Sequence, residues 1–468
     1  MPVIAKQTSA QQGQAQSTSG PHVIARPRLT ATPQVVGFPV VYRLGASARE
    51  RAVDSWPRQA PVTGPTKAPS RNSGPYVPTL RGASQGIVVT LATSRQVLGQ
   101  SSETVRAQGS ADVQQWRLRV SRMVEWFAFM VDTLSQSFFY TLDPATGRHS
   151  HEGGRPIREL ASCWMASSSL SFCKEGGREF SSHIEERLHE CVSHTLERYL
   201  SCLVWRGDLA YVAVGVRGAD ASIAHSAMLI LSMMAHHRHC PMQQARLQQF
   251  RGLAAGIVGQ QGADGSFEAF FISGSNMDPF LGPAEAIYAL VQAHTSGVVG
   301  VDVMDAARKG TLYLIRVLHP TLGEAQRRVC AHWHMQAVCA FISVVPLTYT
   351  DMTLLVEHVY RLQGDLAAHG FFDLLVPQNY GKYAVATVAC AAEGLLTARD
   401  ALDVVAPELA ARLVAAAGRC MQFLAFAQDF AAKGLGGGGF GHSVEMLEQR
   451  NDITAHDANA SMKWTRFS

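Results

Sequence analysis

Six stretches of this chain are small and apolar on nearly every face of a helix: 157–173, 220–234, 282–293, 330–345, 381–396 and 452–464. A helix without a polar face must be covered on all sides. Between them stand six stretches of the opposite kind, amphipathic and charge-bearing, at 116–136, 184–205, 242–260, 302–318, 351–363 and 407–428. Apolar residues recur at i, i+3, i+4 and i+7 in these, as on one face of a helix. Six dry helices alternating with six wet ones predict two concentric rings, dry inside wet. The expected fold is therefore all-α, an (α/α)6 toroid of twelve helices in six hairpins.

The spacing agrees with a helical-hairpin repeat. Glu159, Ala224, Ala284, Trp333, Ala384 and Ala455, taken as equivalent points near the inner-helix starts, are separated by 65, 60, 49, 51 and 71 residues. One hairpin with its loops fits that period. A second signal follows the third outer helix, Gln261-Gly262-Ala263-Asp264-Gly265-Ser266-Phe267, with echoes at Gln136-Ser137-Phe138 and at Gln428 followed by Gly437-Gly438-Gly439-Phe440-Gly441. A glutamine that can bond free carbonyls at a helix end, a tight glycine turn and a tucked aromatic ring would pin an outer helix to an inner one.

These runs, together with Tyr140-Thr141-Leu142-Asp143-Pro144-Ala145-Thr146-Gly147 leading into Arg158-Glu159-Leu160, and Pro283-Ala284-Glu285-Ala286-Ile287-Tyr288-Ala289-Leu290, resemble the repeats of α/α-toroid proteins. That superfamily includes six-hairpin glycan-processing enzymes, among them the helical domain of glucuronyl C5-epimerases, and squalene-cyclase-like terpenoid cyclases. The resemblance spans about 140–465 and implies a central cavity. It implies function only weakly, because one fold hosts many chemistries.

In such a ring the first turns of the inner helices surround a funnel, so their polar residues are the candidates for chemistry. The last inner helix offers Arg450, Asp452, His456 and Asp457. Asp452 and His456 stand at i, i+4, where a carboxylate could orient an imidazole for proton transfer; the alternative is a first-turn acid favoured by the helix dipole beside a structural histidine. His332, Trp333 and His334 combine two imidazoles with an indole, yet the two histidines point about 200° apart, so at most one faces the cavity. Glu285 and Glu159 are acids on apolar helices, which either pair with Arg158 or Arg450 or face water. The candidate catalytic set is Glu285, His334, Asp452 and His456, and the candidate binding set is Arg158, Glu159, Trp333, Tyr380, Tyr383 and Arg450.

No metal ligand set is expected. His236-His237-Arg238-His239-Cys240 precedes Pro241 at a helix end, where cations complement the dipole, and no second ligand pair stands at a recognisable spacing. No cofactor is expected either. The Gly434-Leu435-Gly436-Gly437-Gly438-Gly439 run lacks the Gly-Lys-Ser/Thr of a phosphate loop. The chain also contains neither an Asp-x-Asp-Asp nor an Asp-Asp-x-x-Asp motif. A carbohydrate acted on by acid–base chemistry (epimerisation, lysis or hydrolysis) is the leading expectation, ahead of a non-catalytic binding or scaffold toroid, with a terpenoid cyclase third.

Residues 1–112 contrast with the toroid domain expected over 113–468. They are rich in Ser, Gln, Pro and Arg, carry turn-formers such as Gly64-Pro65, and lack a sustained apolar period, the composition of a disordered arm. Twelve Lys/Arg against Glu50, Asp54 and Glu103 make residues 1–110 +9 and leave the remainder −5 in a chain of +4. A slightly acidic body gives no reason to expect a nucleic-acid partner. A protein partner is conceivable through the basic arm. All nine cysteines lie in the body, several inside apolar runs such as Ala337-Val338-Cys339-Ala340-Phe341, which suggests buried thiols in a reducing compartment. Cytoplasmic residence is expected, an organellar transit segment being the alternative that an acid-poor N-terminus suggests. No stretch reaches ~18 uncharged apolar residues, so no membrane span is expected.

Overall fold

The computed structural model of this chain describes residues 102–215, 220–272, 280–368, 384–431 and 437–466, all within one compact unit. The helices are α1 (Ser102–Phe129), α2 (Pro156–Glu175), α3 (Ser182–Ser201), α4 (Ile223–His237), α5 (Gln244–Val258) and α6 (Gly282–Thr295). They continue with α7 (Val301–Tyr313), α8 (Glu324–Val344), α9 (Tyr349–Ala367), α10 (Val385–Leu402), α11 (Pro407–Ala431) and α12 (Asn451–Trp464). A π-helical segment, Leu314–Leu318, and a last turn, His319–Thr321, extend α7.

The even-numbered helices form a closed ring. Each packs on the next, α2 on α4, then α6, α8, α10 and α12, and α12 packs back on α2. Every odd-numbered helix sits outside, touching two neighbouring inner helices, as α3 touches α2 and α4, and α1 touches α12 and α2. This is the twelve-helix α/α toroid that the alternation of dry and wet segments predicts. Burial follows the same division: every residue of α12 from Asn451 to Lys463 is buried, whereas α3 buries only one stripe, Leu188, Cys191, Val192, Thr195, Leu196, Tyr199 and Leu200.

Pro407–Ala431 is apolar and long enough to cross a membrane by composition alone. It is an outer helix of the ring, packed on α10 and α12 through Leu413, Ala417, Cys420, Phe423 and Leu424.

Among the described residues, three small antiparallel sheets, not foreseen from helical periodicity, decorate the ring. β1 (Val131–Asp132) pairs with β2 (Ser137–Phe138), and β5 (Leu203–Arg206) with β6 (Leu209–Val212). The third matters most: β3 (Thr141–Asp143) is flanked by β4 (Arg148–Ser150) and by β7 (Gln449–Arg450), with Thr141 opposite Arg450 and Leu142 opposite Gln449. That sheet ties the first hairpin to the last. Trp126 Nε1 donates to Gln449 Oε1 at 2.6 Å, and Arg119 of α1 makes two hydrogen bonds to Asp429 of α11 at 2.7 and 2.8 Å.

The glutamine turns act as expected in two repeats. Gln261 donates to the Gly265 carbonyl of its own turn at 3.3 Å and to Ala306 O of the next outer helix, α7, at 2.8 Å. Gly265 takes a φ of +91°, which a side chain would resist, and Phe267 tucks against Gly310 of α7, where a Cβ would collide with its ring. Gln428 repeats the arrangement, donating to Gly438 O and to Arg119 O of α1, both at 3.4 Å, with Phe440 fully buried. The partner is thus the neighbouring outer helix rather than the carbonyls of the glutamine's own helix end. The Gln136 echo differs: Gln136 is exposed, with a φ of 49°.

Several boundaries differ from the sequence reading: α1 ends at Phe129 and α3 at Ser201, short of the 136 and 205 expected, where β1 and β5 follow. α1 begins at Ser102, ahead of the 113 expected for the domain, and the remaining arm lies outside the described residues. α8 begins at Glu324 rather than 330, its start closed by Gln326 Oε1 accepting from the Gly323 amide at 3.0 Å. Its first turns, Glu324 to Val329, are polar and largely outside the core, so they carry no apolar signal.

If the Gln428 carboxamide holds outer helices together, Gln428→Ala should cost ~1–3 kcal/mol in denaturant unfolding, the loss of buried hydrogen bonds. Gln136→Ala should change stability by less than ~0.5 kcal/mol, as at an ordinary surface position. Equal effects would contradict the assignment.

Candidate functional site

Short links join each inner helix to the outer helix that follows it, and mostly longer segments lead from an outer helix to the next inner one. The N-terminal turns of neighbouring inner helices meet, Arg158 of α2 with Asp452 of α12 and Gly282 of α6 beside Ala224 of α4, so these starts share one end of the ring. Local sequence fixes several of these starts: Pro156 opens α2, Ser222 Oγ caps α4 through the Ala224 amide at 3.1 Å, and Pro283 stands in the first turn of α6. The segments leading into α4, α6 and α10 include 216–219, 273–279 and 369–383. Tyr380 and Tyr383 therefore lie outside the described residues.

At the end where α2 and α12 begin, the strand clasp presents a buried charge cluster. Asp452 receives hydrogen bonds from Arg450 Nε at 3.0 Å and Nη2 at 2.5 Å, and from the Tyr140 hydroxyl at 3.2 Å. Arg158 Nε lies 3.4 Å from Asp452, and its Nη1 donates to Tyr140 Oη at 2.6 Å and to Gly153 O at 2.7 Å. Both guanidinium groups also lie over the Tyr140 ring, at 4.9 and 5.1 Å from its centroid. Burial opposes ionisation of Asp452, but the two arginines outweigh it and hold its carboxyl below the usual range. Burial and the neighbouring Asp452 push the Tyr140 phenol up, so it remains a hydrogen-bond donor.

Deeper in the ring, α10 and α12 bring together a second cluster. His456 Nδ1 lies 3.2 Å from Glu393 Oε2, and Cys390 Sγ lies 3.5 Å from the same nitrogen and 3.6 Å from Nε2. Glu393 and His456 are fully buried. Burial raises the Glu393 carboxyl, while the Cys390 thiol and Glu393 carry the imidazole well above its ordinary value despite burial. Asp457, the next residue, has no hydrogen-bond partner among the described residues, and burial drives its carboxyl strongly up, toward the neutral form. Lys463, two turns on, contacts Thr397 Oγ1 and the Glu393 carbonyl, and burial pulls its amine down to about 7. Cys390, Glu393 and His456 have donor atoms all within 4.8 Å, a set that could hold a metal ion.

Large aromatic side chains fill the same level. Trp164 of α2, Tyr288 of α6 and Trp333 of α8 are fully buried, with Tyr288 lying 6.5 Å from Trp164 and 6.1 Å from Trp333 between ring centroids. Glu285, buried one turn before Tyr288, accepts from Trp333 Nε1 at 2.9 Å.

The structure thus gathers some of the sequence candidates and separates others. Asp452, Arg158 and Arg450 converge, and Glu285 meets Trp333. Asp452 and His456, however, do not form the dyad their spacing suggested: the arginines occupy Asp452, and Glu393 from the adjacent helix takes its place at His456. Glu159 turns toward α3, ion-paired with Arg198 and accepting from Tyr199 Oη at 2.8 Å. His334 also turns outward, its ring 5.8 Å from His319 and 6.5 Å from His358, and burial lowers its pKa to about 3. Because α8 starts earlier than expected, His332, Trp333 and His334 sit in its third turn, below the ring's end.

Sequence reasoning missed Glu393, although a lone acid in Val385-Ala386-Thr387-Val388-Ala389-Cys390-Ala391-Ala392-Glu393 satisfies the buried-charge rule applied to Glu285. Lys463 resembled an ordinary last-turn cation. Tyr140 carried no signal, because only the β3–β7 pairing brings it to α12.

One solved structure described as "Crystal structure of unsaturated glucuronyl hydrolase specific for heparin" matches with a TM-score of 0.51 over 77% of this chain and 97% of that one, at 10% sequence identity. This chain has the α/α-toroid fold. No family model matches the sequence, and no curated protein does. At that identity the similarity speaks for the arrangement of the toroid's helices, not for the residues inside it.

The lysine provides a test of the buried cluster. Between about 7 and its ordinary 10.5, an unfolded chain holds a proton on Lys463 that the folded one lacks, so this residue's contribution makes stability rise with pH through that window. Lys463→Met should flatten the rise and stabilise the toroid at pH 7 by a few kcal/mol. Thermal unfolding of both proteins from pH 7 to 10 measures the difference, and parallel curves would refute a depressed lysine.

Proposed function

We propose that this chain is a glycan-processing enzyme that uses acid–base chemistry inside its helical ring. The observation that carries the reading is the meeting of Glu393 and His456 within the inner ring, beside the buried Asp457, with burial and neighbouring charge displacing the protonation of all three. Titratable groups displaced from their ordinary values gather at sites of proton transfer, where acid and base must be tuned to their task. The solved neighbour, named as a glucuronyl hydrolase specific for heparin, supports a carbohydrate as the substrate class.

In this reading Glu393 and His456 exchange the proton, with Glu393 orienting the imidazole. Arg158 and Arg450, two cations against the single charge of Asp452, leave positive charge at the end where α2 and α12 begin, suited to the carboxylate of a uronate sugar. Trp333, oriented by Glu285, offers an aromatic face. The substrate is then an acidic oligosaccharide, and epimerisation, lysis and hydrolysis are the three reactions that one acid–base pair could support. The sequence runs read as resembling glucuronyl C5-epimerase helical domains would favour the first.

A second reading, a toroid that binds without turnover, rests on a specific observation: Trp164, Tyr288 and Trp333 occupy the middle of the ring, and Glu393 and His456 have no exposed surface.

Incubating the full chain with uronate-containing oligosaccharides in deuterated water, followed by NMR, separates the outcomes. Exchange at the uronate C5 with the chain intact marks epimerisation, a new unsaturated uronate marks lysis, and a new reducing end without new unsaturation marks hydrolysis. Glu393→Gln, nearly isosteric, should lower turnover at least ~100-fold with the fold retained by circular dichroism, the scale of general acid–base catalysis. Binding without turnover would favour the second reading, and turnover that survives Glu393→Gln would remove the assignment.

A further inference from the structure

The C-terminal end of α4 carries a group that the proposed activity does not use. His236 in its last turn, Cys240 three residues past the helix and His189 of the neighbouring outer helix α3 have donor atoms that all lie within 4.8 Å of one another. The sequence run His236-His237-Arg238-His239-Cys240 lacked only a partner at a distance. α3 supplies it, since it packs against α4 and aims His189 at the helix end.

The surroundings are arranged as a metal's surroundings usually are. His236 Nε2 lies 3.0 Å from Ser193 Oγ, one turn beyond His189 on α3, which fixes the ring. Its Nδ1 is buried, with no partner among the described residues, although the whole side chain is only 2% exposed. A buried ring nitrogen without a hydrogen bond costs free energy that a cation would return. His239 backs the group: its ring centroid is 4.7 Å from that of His189, and its Nε2 is held by Ser171 Oγ at 2.8 Å and the Ser167 carbonyl at 3.0 Å. The amides of His239 and Cys240 both donate to His236 O, at 2.9 and 3.0 Å, which folds the thiol back toward the ring, and the negative end of the α4 dipole favours a cation. Nearby Lys174 and Arg246 are ion-paired with Glu185 and Glu197.

We infer that His189, His236 and Cys240 form a binding site for a thiophilic divalent cation of the zinc class, with a fourth position open to solvent beside the exposed Cys240. Two imidazoles and a thiolate suit such an ion in tetrahedral geometry, and bonds of that kind place donor atoms about 3.3–3.6 Å apart. The donor atoms, all within 4.8 Å of one another, exceed that spacing by at most about 1.5 Å. The site lies at the end of α4 opposite the proposed carbohydrate end, and it stands whether or not the glycan reading does.

The test uses the full chain, stripped with chelator under reducing conditions and titrated with Co²⁺. One equivalent should produce tetrahedral visible bands and a near-ultraviolet thiolate-to-cobalt band, both abolished by one equivalent of Zn²⁺. Cys240→Ser should remove the thiolate band, and His236→Ala and His189→Ala should each weaken binding at least ~10-fold. Cys390→Ser and Cys202→Ser should leave the spectrum unchanged. Circular dichroism verifies the fold of each variant; the surface change Cys240→Ser decides the matter if a histidine variant fails to fold. A thiolate band that persists in Cys240→Ser, a band lost in Cys390→Ser instead, or no binding at 100 µM Co²⁺ would overturn the inference.

Discussion

Helices with no wet face can be satisfied only by neighbours on every side, and in this chain that requirement is met by joining the last inner helix to the first. α12 packs on α2, and the β3–β7 pairing, the Trp126–Gln449 hydrogen bond and the Arg119–Asp429 ion pair lock the same seam from outside. Contact between residues more than 300 positions apart is entropically expensive to form. It is offset by the burial it completes: without the seam, α2 and α12 would each expose an apolar side to water.

The seam also sets the electrostatics. Arg450 ends β7, Arg158 stands in the first turn of α2, and Tyr140 precedes β3, so closing the ring assembles the cage around Asp452. Carboxylates on neighbouring elements have opposite fates. Asp452, between two guanidinium groups, is held as the anion, whereas Glu393 and Asp457, deeper and without a guanidinium partner among the described residues, are driven toward protonation. One ring thus holds two carboxyl environments of opposite character.

The rings were legible in the sequence because period and polarity are local properties: each dry helix announces itself within about four turns of chain. The Gln261 and Gln428 turns were legible for the same reason, since their glycines and aromatics stand within a few residues. The site was legible only in part. Asp452, Arg158 and Arg450 were picked out because inner-helix first turns face the ring's end, but the partner of His456 comes from another helix, and no spacing within one helix could reveal Glu393. His334 failed for a geometric reason. Choosing which of two histidines 200° apart faces inward needs the register of α8, and its polar first turns hid where that helix begins.

An open stack of helical hairpins can gain or lose a repeat at either end, since each unit answers only to its neighbours. A ring sealed between α12 and α2 has no such freedom. Inserting or deleting a single hairpin would change the angle at every inner contact and part the strands of the clasp, so variation is channelled into the loops and the linings of the hairpins. At 10% identity over 97% of a solved chain, what the two share is the arrangement of the ring's helices.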